Sequence, residues 1–354
     1  MSGKADGLSR VQPESIRSFC LAVCQRTGLS PSHAGRLADT LLEADMRGVH
    51  THGVVRLPHY VKGFQTGKVN MKPAVKVVRD SGAAAVIDGD NGLGAIIAQD
   101  AMKLAMEKAA GHGVGIVSMR ASSHYGMAAH WTMMALERDM IGYTTTDGPA
   151  SMAPWGGVTP VAGNNPISYA IPAGKELPVV LDMSLSVVAK GKIMLAAMKN
   201  EPIPAGWALD KSGQPTTDAK AAMEGLLMPI AGYKGLGLAL VNDILCGVLS
   251  GGLFGTDIPK LQPGVTLTGV SHFFMALDIA HFMPVAELKE RVDRLVQMVK
   301  SSQMAEGQDR IYLPGEMEFE KYQRSRREGI RYSQEIIGAL DKLAQDTGIP
   351  AVKR

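Results

Sequence analysis

The stretch AIIAQDAMKLAMEKAAGHGVGIVSM, Ala95–Met119, contains the two patterns that decide the fold. Its first part, residues 95–113, is apolar on most sides, which predicts a buried helix. The run VGIVSM that follows is short, rich in β-branched residues and preceded by Gly113, which predicts a strand. A helix that leads directly into a strand indicates a region of mixed α and β structure.

The glycines at this junction do not form the fingerprint of a Rossmann dinucleotide site. That fingerprint is G-x-G-x-x-G after an early strand, with an acidic residue about 20 positions further on. The nearest matches are GHGVGI at 111–116 and GYKGLGL at 232–238, and both break the spacing. Such glycines are more often turn or packing residues. Any nucleotide is therefore expected to bind without a Rossmann fingerprint.

Outward from this junction the sequence divides into three regions. Helical patterns fill residues 1–72 and 284–354, while short strand runs and helices alternate irregularly over residues 73–283. The predicted fold class is mixed α+β, with a helical part made from both chain ends and a central non-Rossmann domain with a mixed sheet. The segment at 233–252 is apolar on every side, which predicts a core helix.

Composition excludes several classes of function. The chain has 354 residues, of which 45% are hydrophobic and 20% charged, and its net charge is +3 with both signs interspersed. This balance gives no electrostatic case for a nucleic-acid partner. Three cysteines argue against a disulfide framework, and neither a signal peptide nor a membrane span is expected. A cytoplasmic protein is the expectation.

Three of the nine histidines lie in one short segment, RGVHTHGVVRLPHY at 47–60. A metal site at His50, His52 and His59 is one interpretation, although no H-E-x-x-H motif or paired cysteine accompanies them. Acid–base chemistry is the second, because Arg56 and Arg47 flank His52 and an arginine fork suits a substrate carboxylate. A helix end with ordinary surface charges is the third interpretation, and spacing alone does not exclude it.

Two further positions are candidates for chemistry. His124 and Tyr125 in SSHYG follow the predicted strand VGIVSM, and strand ends often carry functional groups. Asp182 follows four apolar residues in PVVLDMSLS, so it is expected to be partly buried and to need a partner, for which a histidine is one choice. An ordinary loop histidine and a structural hydrogen bond are the simpler alternatives.

Six motifs occur in order along the chain: RGVHTHGVVRLPHY, SSHYG, MAPWGG with GNNPISYAIPAG, VVLDMSLS, GYKGLGLALVNDIL and YLPGE. Together they resemble the malate/L-lactate dehydrogenase family of NAD(P)-dependent oxidoreductases that lack a Rossmann fold, from about residue 13 to residue 332. The resemblance implies a homodimer whose domain at 73–283 binds cofactor and substrate, with a cofactor core at about 114–275.

The reaction implied by the resemblance is hydride exchange between NAD or NADP and a small 2-hydroxy or 2-oxo acid. The substrate would be like malate, lactate, ureidoglycolate, sulfolactate or diketogulonate. A cyclic imino acid such as piperideine-2-carboxylate is an alternative. A metal-dependent hydrolase and a catalytically silent binding protein are more remote alternatives, and neither explains the six motifs.

The resemblance also implies roles for individual residues. His52 is the proton carrier, Asp182 works with it, and His124 lies near the substrate and nicotinamide and is catalytic in some members. The resemblance implies that Arg56 binds the substrate carboxylate and that His272 is a substrate-side position, and Arg47, Thr51 and Tyr60 of the same histidine segment are also expected to bind substrate. Those expected to contact cofactor are His124, Leu181, Asp182, Met183, Ser184, Leu185, Ser186, Val187, Tyr233, Lys234, Gly315 and Glu316, and no metal is expected.

Two positions depart from the family pattern. Thr51 stands where a serine is usual, and Asn164 stands where G-T-N-P has threonine. These differences leave the reaction class intact, but they put the shape of the substrate pocket in question. In the hypothesis for reduction, a protonated His52 donates to the carbonyl oxygen of the substrate, Asp182 favours the imidazolium, and Arg56 holds the carboxylate.

Overall fold

The computed structural model describes residues 8–259 and 268–354. The helices are α1 Pro13–Arg26, α2 Pro31–Met46, α3 Leu57–Gln65, α4 Gly94–His112, α5 Ala128–Met133, α6 Lys190–Lys199, α7 Ala219–Glu224, α8 Tyr233–Asp243, α9 Val285–Lys300, α10 Glu316–Glu328 and α11 Gln334–Thr347. The strands are β1 Ser9–Val11, β2 Lys76–Ser81, β3 Ala84–Asp88, β4 Val114–Ser123, β5 Met140–Thr146, β6 Ile167–Ile171, β7 Val179–Met183, β8 Ala208–Leu209, β9 Pro215–Thr216, β10 Leu226–Leu227, β11 Thr268–Asp278 and β12 Ile330–Tyr332.

A seven-stranded mixed sheet is the centre of the molecule, with strand order β2-β3-β4-β11-β5-β6-β7. Only the β3–β4 pair is parallel, and α4 is the crossover between these strands. The other pairs are antiparallel. This arrangement confirms the predicted mixed α+β fold without a doubly wound parallel sheet.

The glycines of GHGVGI have structural roles, as predicted. Gly113 ends α4 with a positive φ of 78°. Gly115 lies against the same helix, since a Cβ atom there would lie 1.8 Å from the carbonyl oxygen of Ala105. Because glycine has no side chain, α4 can pack directly on β4 at this position. The glycines of this junction therefore allow the helix and the strand to pack closely.

The two chain ends meet beside the sheet. β1 pairs with β12, α2 contacts α10, and α1 contacts α11. One cluster of buried apolar residues runs from these helices under α4 to the sheet. Two ion pairs of α9 join it to the central part, one between Lys289 and Asp139 and one between Lys300 and Glu176. The domain boundaries near residues 72 and 283 stay predictions.

The prediction of a core helix over 233–252 is wrong. α8 ends at Asp243 and continues as a π-helical turn, Ile244–Val248. Leu236, Ala239 and Cys246 are buried on the sheet side, whereas an outward face of apolar side chains is exposed at Leu238, Leu240, Val241, Ile244, Val248 and Leu249. The helix lies on one face of the sheet, and its other side has no covering layer in the described chain.

A second, smaller core lies beyond β7. It joins α6, α7 and α8 with the short sheet β10-β8-β9 and the loop that contains Met152 and Ala162. None of the helices in the two described ranges is both long and apolar enough to cross a membrane.

Candidate active site

A cavity of about 370 Å³ lies between the histidine segment, the start of α5, strand β7 and the start of α10. It brings together four stretches that are far apart in the sequence. Its lining residues are Arg47, Val49, His52, Gly126, Met127, Ala128, Ala129, Asn164, Pro166, Val180, Leu181, Asp182, Met183, Ser184, Ala189, Pro314, Gly315 and Glu318.

The histidine segment is held in place by a buried carboxylate, Asp45, near the end of α2. Asp45 accepts hydrogen bonds from Nδ1 of His50, the backbone N–H of Val54 and the hydroxyl of Tyr332, each at 2.8 Å. A Cβ atom at Gly53 would lie 1.9 Å from this carboxylate, so only glycine leaves room for it. His50 therefore anchors the two short 3₁₀ turns that carry His52.

His52 turns one edge of its ring toward the cavity. Its Nδ1 lies 2.9 Å from Oγ1 of Thr51, and its ring stacks on that of His124 with centroids 5.3 Å apart. Burial, together with the positive charge of Arg56, lowers the pKa of His52 to about 4. The imidazole is therefore neutral at physiological pH, which suits a proton acceptor better than a proton donor.

His124 has a defined tautomer. Its Nδ1 accepts from the backbone N–H of Gly126 at 3.3 Å and lies 2.7 Å from the hydroxyl of the buried Tyr60. Because the backbone group can only donate, Nδ1 carries no proton and Nε2 does. Burial lowers the pKa of His124 well below its ordinary value, and the charge of Arg56 lowers it further.

The two arginines are held by different partners. Nε of Arg56 donates to the backbone oxygen of Thr51 at 2.6 Å, beside His52. Nε of Arg47 donates to Glu43 at 2.7 Å, and its guanidinium lies 5.1 Å from the ring centre of Tyr322. Arg47 lines the cavity, whereas Arg56 is not one of its lining residues, and its charge lowers the pKa of His52.

Asp182 projects from β7 and is accessible from the cavity, while protein encloses the rest of its side chain, as expected for a partly buried acid. Its Oδ2 accepts from the backbone N–H of Ala129 at 2.8 Å, and within residues 8–259 and 268–354 it makes no hydrogen bond to His52. The protein atoms around the cavity limit its hydration and raise its pKa to about 6. The Ala129 N–H opposes this shift, and the nearby Glu318 carboxylate adds to it.

His272 lies apart from this cavity, at the centre of the sheet. It is fully buried, and its two ring nitrogens lie 2.7 Å from Oγ1 of Thr146 and 2.8 Å from Oγ of Ser122. Its ring stacks on Tyr125 with centroids 4.6 Å apart. The structure thus gives both His272 and Tyr125 a place inside the protein, while a substrate contact at His272 stays a prediction.

The residues expected to contact cofactor separate into three groups. Leu181, Asp182, Met183, Ser184 and Gly315 line the cavity. Leu185 and Ser186 are buried behind it, while Val187, Tyr233 and Lys234 are exposed. Glu316 is also buried, where it is ion-paired with Lys300 and accepts from the backbone N–H of Leu313 at 3.1 Å. The ion pair offsets the effect of burial, so the pKa of Glu316 is lowered.

Sequence reasoning missed several lining residues. Met127, Ala128 and Ala129 belong to α5 and its first turn, and Glu318 lies two residues beyond the YLPGE motif. Glu318 carries a signal that could have been found, since it is an acidic residue in the first turn of a helix that begins at a motif. The small residues of α5 carry none, because they contribute backbone groups and shape.

The alternative of a metal site has no geometric support. Within the part of the chain that the structure describes, no three histidine, cysteine, aspartate or glutamate side chains are grouped so that they could hold a metal ion. His50 is bound to Asp45, and His52 to Thr51. The neighbouring histidines His50 and His52 therefore have different partners and do not form one metal site.

A mixed sheet without a Rossmann fingerprint and a cavity lined by a histidine and an aspartate are features of an oxidoreductase of the kind that the motifs indicate. Comparison with known proteins supports this class. Residues 11–341 match the model of the malate/L-lactate dehydrogenase family, so the chain belongs to that family.

Individual relatives agree with this assignment. A malate dehydrogenase of Pyrococcus horikoshii is 38% identical over 348 residues, which cover 96% of each chain. The solved structure of the sulfolactate dehydrogenase from Methanocaldococcus jannaschii has a TM-score of 0.90 and 36% identity, over 97% of this chain and 98% of that one. The Δ1-piperideine-2-carboxylate reductase of Pseudomonas syringae has a TM-score of 0.84 and 27% identity, over 95% and 100% of the two chains.

Proposed function

We propose that this protein is an NAD(P)-dependent dehydrogenase that exchanges a hydride between the nicotinamide and C2 of a small 2-hydroxy or 2-oxo acid. The observation that supports it most is the single cavity that is lined by both His52 and Asp182. The residues that line the cavity also suit the nicotinamide of NAD or NADP. The apolar side chains of Met127, Leu181 and Met183 suit a nicotinamide ring, and the backbone and hydroxyl groups around Ser184 suit its polar edge.

His52 is the proposed base in the direction of oxidation. Its neutral imidazole has Nδ1 beside the Thr51 hydroxyl, and Nε2 makes no hydrogen bond in the described chain. If Nδ1–H donates to Thr51, Nε2 carries the lone pair that takes the proton of the substrate hydroxyl. A nicotinamide bound in this cavity would supply the two-electron chemistry at C2. In reduction, the same Nε2 returns the proton to the oxygen.

Charge around the cavity supports this proton transfer. Uptake of a proton makes His52 an imidazolium, and the Asp182 carboxylate on the same cavity stabilises that charge. The Ala129 N–H fixes one oxygen of Asp182, which keeps the carboxylate pointing into the cavity. The proposed pairing of Asp182 and His52 is thus electrostatic across the cavity, whereas the expected direct contact is not seen.

Arginine provides the proposed anchor for the acid group. Arg56 is held through Nε, so the two Nη groups of its fork are free to point at a carboxylate near His52. Arg47 offers a second guanidinium on the cavity wall. A carboxylate held here fixes the position of C2 relative to His52, and correct orientation is a large part of the rate enhancement in such reactions.

A substrate screen tests the proposal. NADH and NADPH oxidation is followed with pyruvate, oxaloacetate, diketogulonate, sulfopyruvate and a cyclic imino acid, each against the His52→Asn variant as a blank. We expect turnover with at least one 2-oxo acid, and turnover lower by about 10²-fold or more in the variant. Turnover only with the cyclic imino acid would assign the imine reductase activity, for which the Pseudomonas structure is the precedent. Absence of NADH and NADPH binding would contradict both.

We also propose that the exposed apolar face of α8 and the π-helical turn, defined above, is covered by a second copy of the chain. The face carries six apolar side chains within residues 238–249, each at least 40% exposed, which is typical of a subunit interface. Light scattering on the purified protein tests this, and we expect a homodimer. Val241→Asp should shift the mass toward the monomer, whereas a monomeric wild type would contradict the proposal.

A further inference from the structure

Glu318 is a second carboxylate on the wall of the cavity that contains Asp182. It lies in the first turn of α10, two residues beyond the motif YLPGE. Its side chain is 39% exposed, and its Oε1 lies 3.7 Å from Nζ of Lys321 on the same helix. An ion pair this long and this exposed contributes little to stability, so it does not account for the position of Glu318 on the cavity wall.

The packing of α10 on β7 brings the two carboxylates to the same wall. The backbone N–H of Val180 donates to the carbonyl oxygen of Pro314 at 3.1 Å. Gly315 follows with a positive φ of 90°, and a Cβ atom there would lie 2.9 Å from Cβ of Val180. Asp182 is two residues after Val180, so the two side chains project from the same face of the strand. The start of α10 therefore lies against the face of β7 that carries Asp182.

Asp182 has no ion-pair partner to offset a second negative charge. Its Oδ2 accepts from the N–H of Ala129, and Oδ1 makes neither a hydrogen bond nor an ion pair within residues 8–259 and 268–354. The surrounding protein raises the pKa of Asp182 to about 6, and the charge of Glu318 adds to this rise. Two like charges thus meet at this wall when both acids are ionised. The other titratable or charged groups that face the two carboxylates are Arg47, His52, Tyr125 and Lys321.

We propose that Glu318 is a positioning residue that acts through Asp182, because its negative charge holds a proton on the Asp182 carboxyl group. This inference rests on the proposed function, in which the Asp182 carboxylate stabilises the imidazolium of His52. Only the ionised form of Asp182 can do so, and turnover in the direction of oxidation should therefore fall as the pH falls through about 6. Glu318 thus sets the lower pH limit of oxidation.

The test is the pH profile of kcat/KM for the 2-hydroxy acid whose 2-oxo form reacts in the substrate screen. This ratio reports the ionisations of the free enzyme. Glu318→Gln keeps the size of the side chain and removes its charge, so Asp182 should ionise at a lower pH. The limb near pH 6 should move down by about half a unit or more, as expected for the loss of one nearby like charge. The ionisation of His52 lies lower, at about 4, which separates the two limbs.

Two variants control for effects other than charge at this position. Glu318→Asp keeps the charge and should leave the limb near its wild-type pH. Glu320→Gln is the matched control, because Glu320 lies on the same helix, is 40% exposed and is ion-paired with Arg310, but does not line the cavity. It should not move the limb. Carbon-13 NMR of the aspartate carboxyl groups, with Asp182→Asn to identify the signal, measures the pKa of Asp182 without substrate.

An unmoved limb in Glu318→Gln overturns the proposal, including the case in which kcat/KM falls equally at every pH, since that is the mark of a purely structural role. A lowered pKa of Asp182 in the NMR titration with an unmoved limb also overturns it, because Asp182 then does not limit oxidation. If the wild type oxidises no 2-hydroxy acid, the proposed function fails, while the NMR titration still decides whether Glu318 acts on Asp182. The Tm of each variant checks that it is folded.

Discussion

Two buried histidines of this molecule, His272 and His52, differ in how many of their ring nitrogens have a hydrogen-bond partner. His272, in the middle of β11, has a hydroxyl within hydrogen-bond distance of each ring nitrogen and an aromatic ring against its face. His52, in a 3₁₀ turn that lines the cavity, has one hydroxyl partner, and its other nitrogen makes no hydrogen bond in the described chain. Burial lowers the pKa of both, to about 3 and about 4.

This comparison shows that a lowered pKa alone does not identify a catalytic histidine. Burial has the same effect on a structural ring and on a reactive one. The difference is whether a nitrogen remains unpaired and accessible to a small molecule. Loss of His52 should therefore affect turnover, and loss of His272 should affect stability.

The largest effect is expected for His52→Asn. Without the imidazole no group accepts the proton, so kcat should fall by about 10²–10⁴-fold, the usual contribution of a general base. NADH affinity and Tm should change little, since the ring makes only one hydrogen bond. Steady-state kinetics and a fluorescence titration measure the two quantities. Near-normal kcat would transfer the proton role to His124.

Arg56→Ala should act mainly on substrate binding. Loss of a charged fork typically costs about 2–3 kcal/mol, so KM for the acid should rise by about 30–150-fold. Arg56→Lys is the matched control, and it should recover only part of the affinity because it keeps charge without the fork. An unchanged KM in Arg56→Ala would remove this residue from the carboxylate site.

Asp182→Asn should change how the stability of the protein depends on pH. Because the pKa of Asp182 is raised to about 6, its ionisation destabilises the folded state, and the stabilising contribution of the protonated form is lost as pH rises from about 4 through about 6. Asparagine does not titrate, so the variant should gain Tm relative to wild type at pH 8 and not at pH 4. It should also lose activity. Equal Tm differences between variant and wild type at both pH values would show that the pKa of Asp182 is not raised.

His272→Asn should have a smaller effect, and one on stability. It removes the ring stack and leaves Ser122 and Thr146 without their ring partners, for an expected loss of about 2 kcal/mol of unfolding free energy. Urea denaturation measures the loss, and kcat per folded molecule should stay near the wild-type value. Loss of kcat with normal stability would instead place His272 at the substrate, as the family resemblance implies.

Local patterns in the sequence were sufficient for the fold class. The helix–strand junction at 95–119 is visible because burial leaves a periodic apolar signature, and the spacing of the glycines in GHGVGI already argued against a Rossmann site. The outward face of α8 could not be predicted, since an apolar helix looks the same in a core and at an uncovered surface. The role of His50 also depends on Asp45 and Tyr332, which no spacing rule connects.

The motif resemblance located His52 and Asp182, but their relation needed coordinates. A direct hydrogen bond was the natural expectation for an acid near a histidine. In the structure Asp182 is held by the N–H of Ala129, a residue whose side chain carries no chemical signal. Backbone donors of this kind depend on how helices and strands meet, and that is decided by the whole fold.

The hydroxyl of Tyr332 donates to Asp45, which in turn fixes the turns around His52. Residue 332 lies near the end of the chain, and its strand pairs with residues 9–11 at the beginning. A ribosome must therefore release the chain through residue 332 before the turns around His52 can be held in this position. Degradation fragments that lack β12 are expected to lose this support even when the central sheet survives.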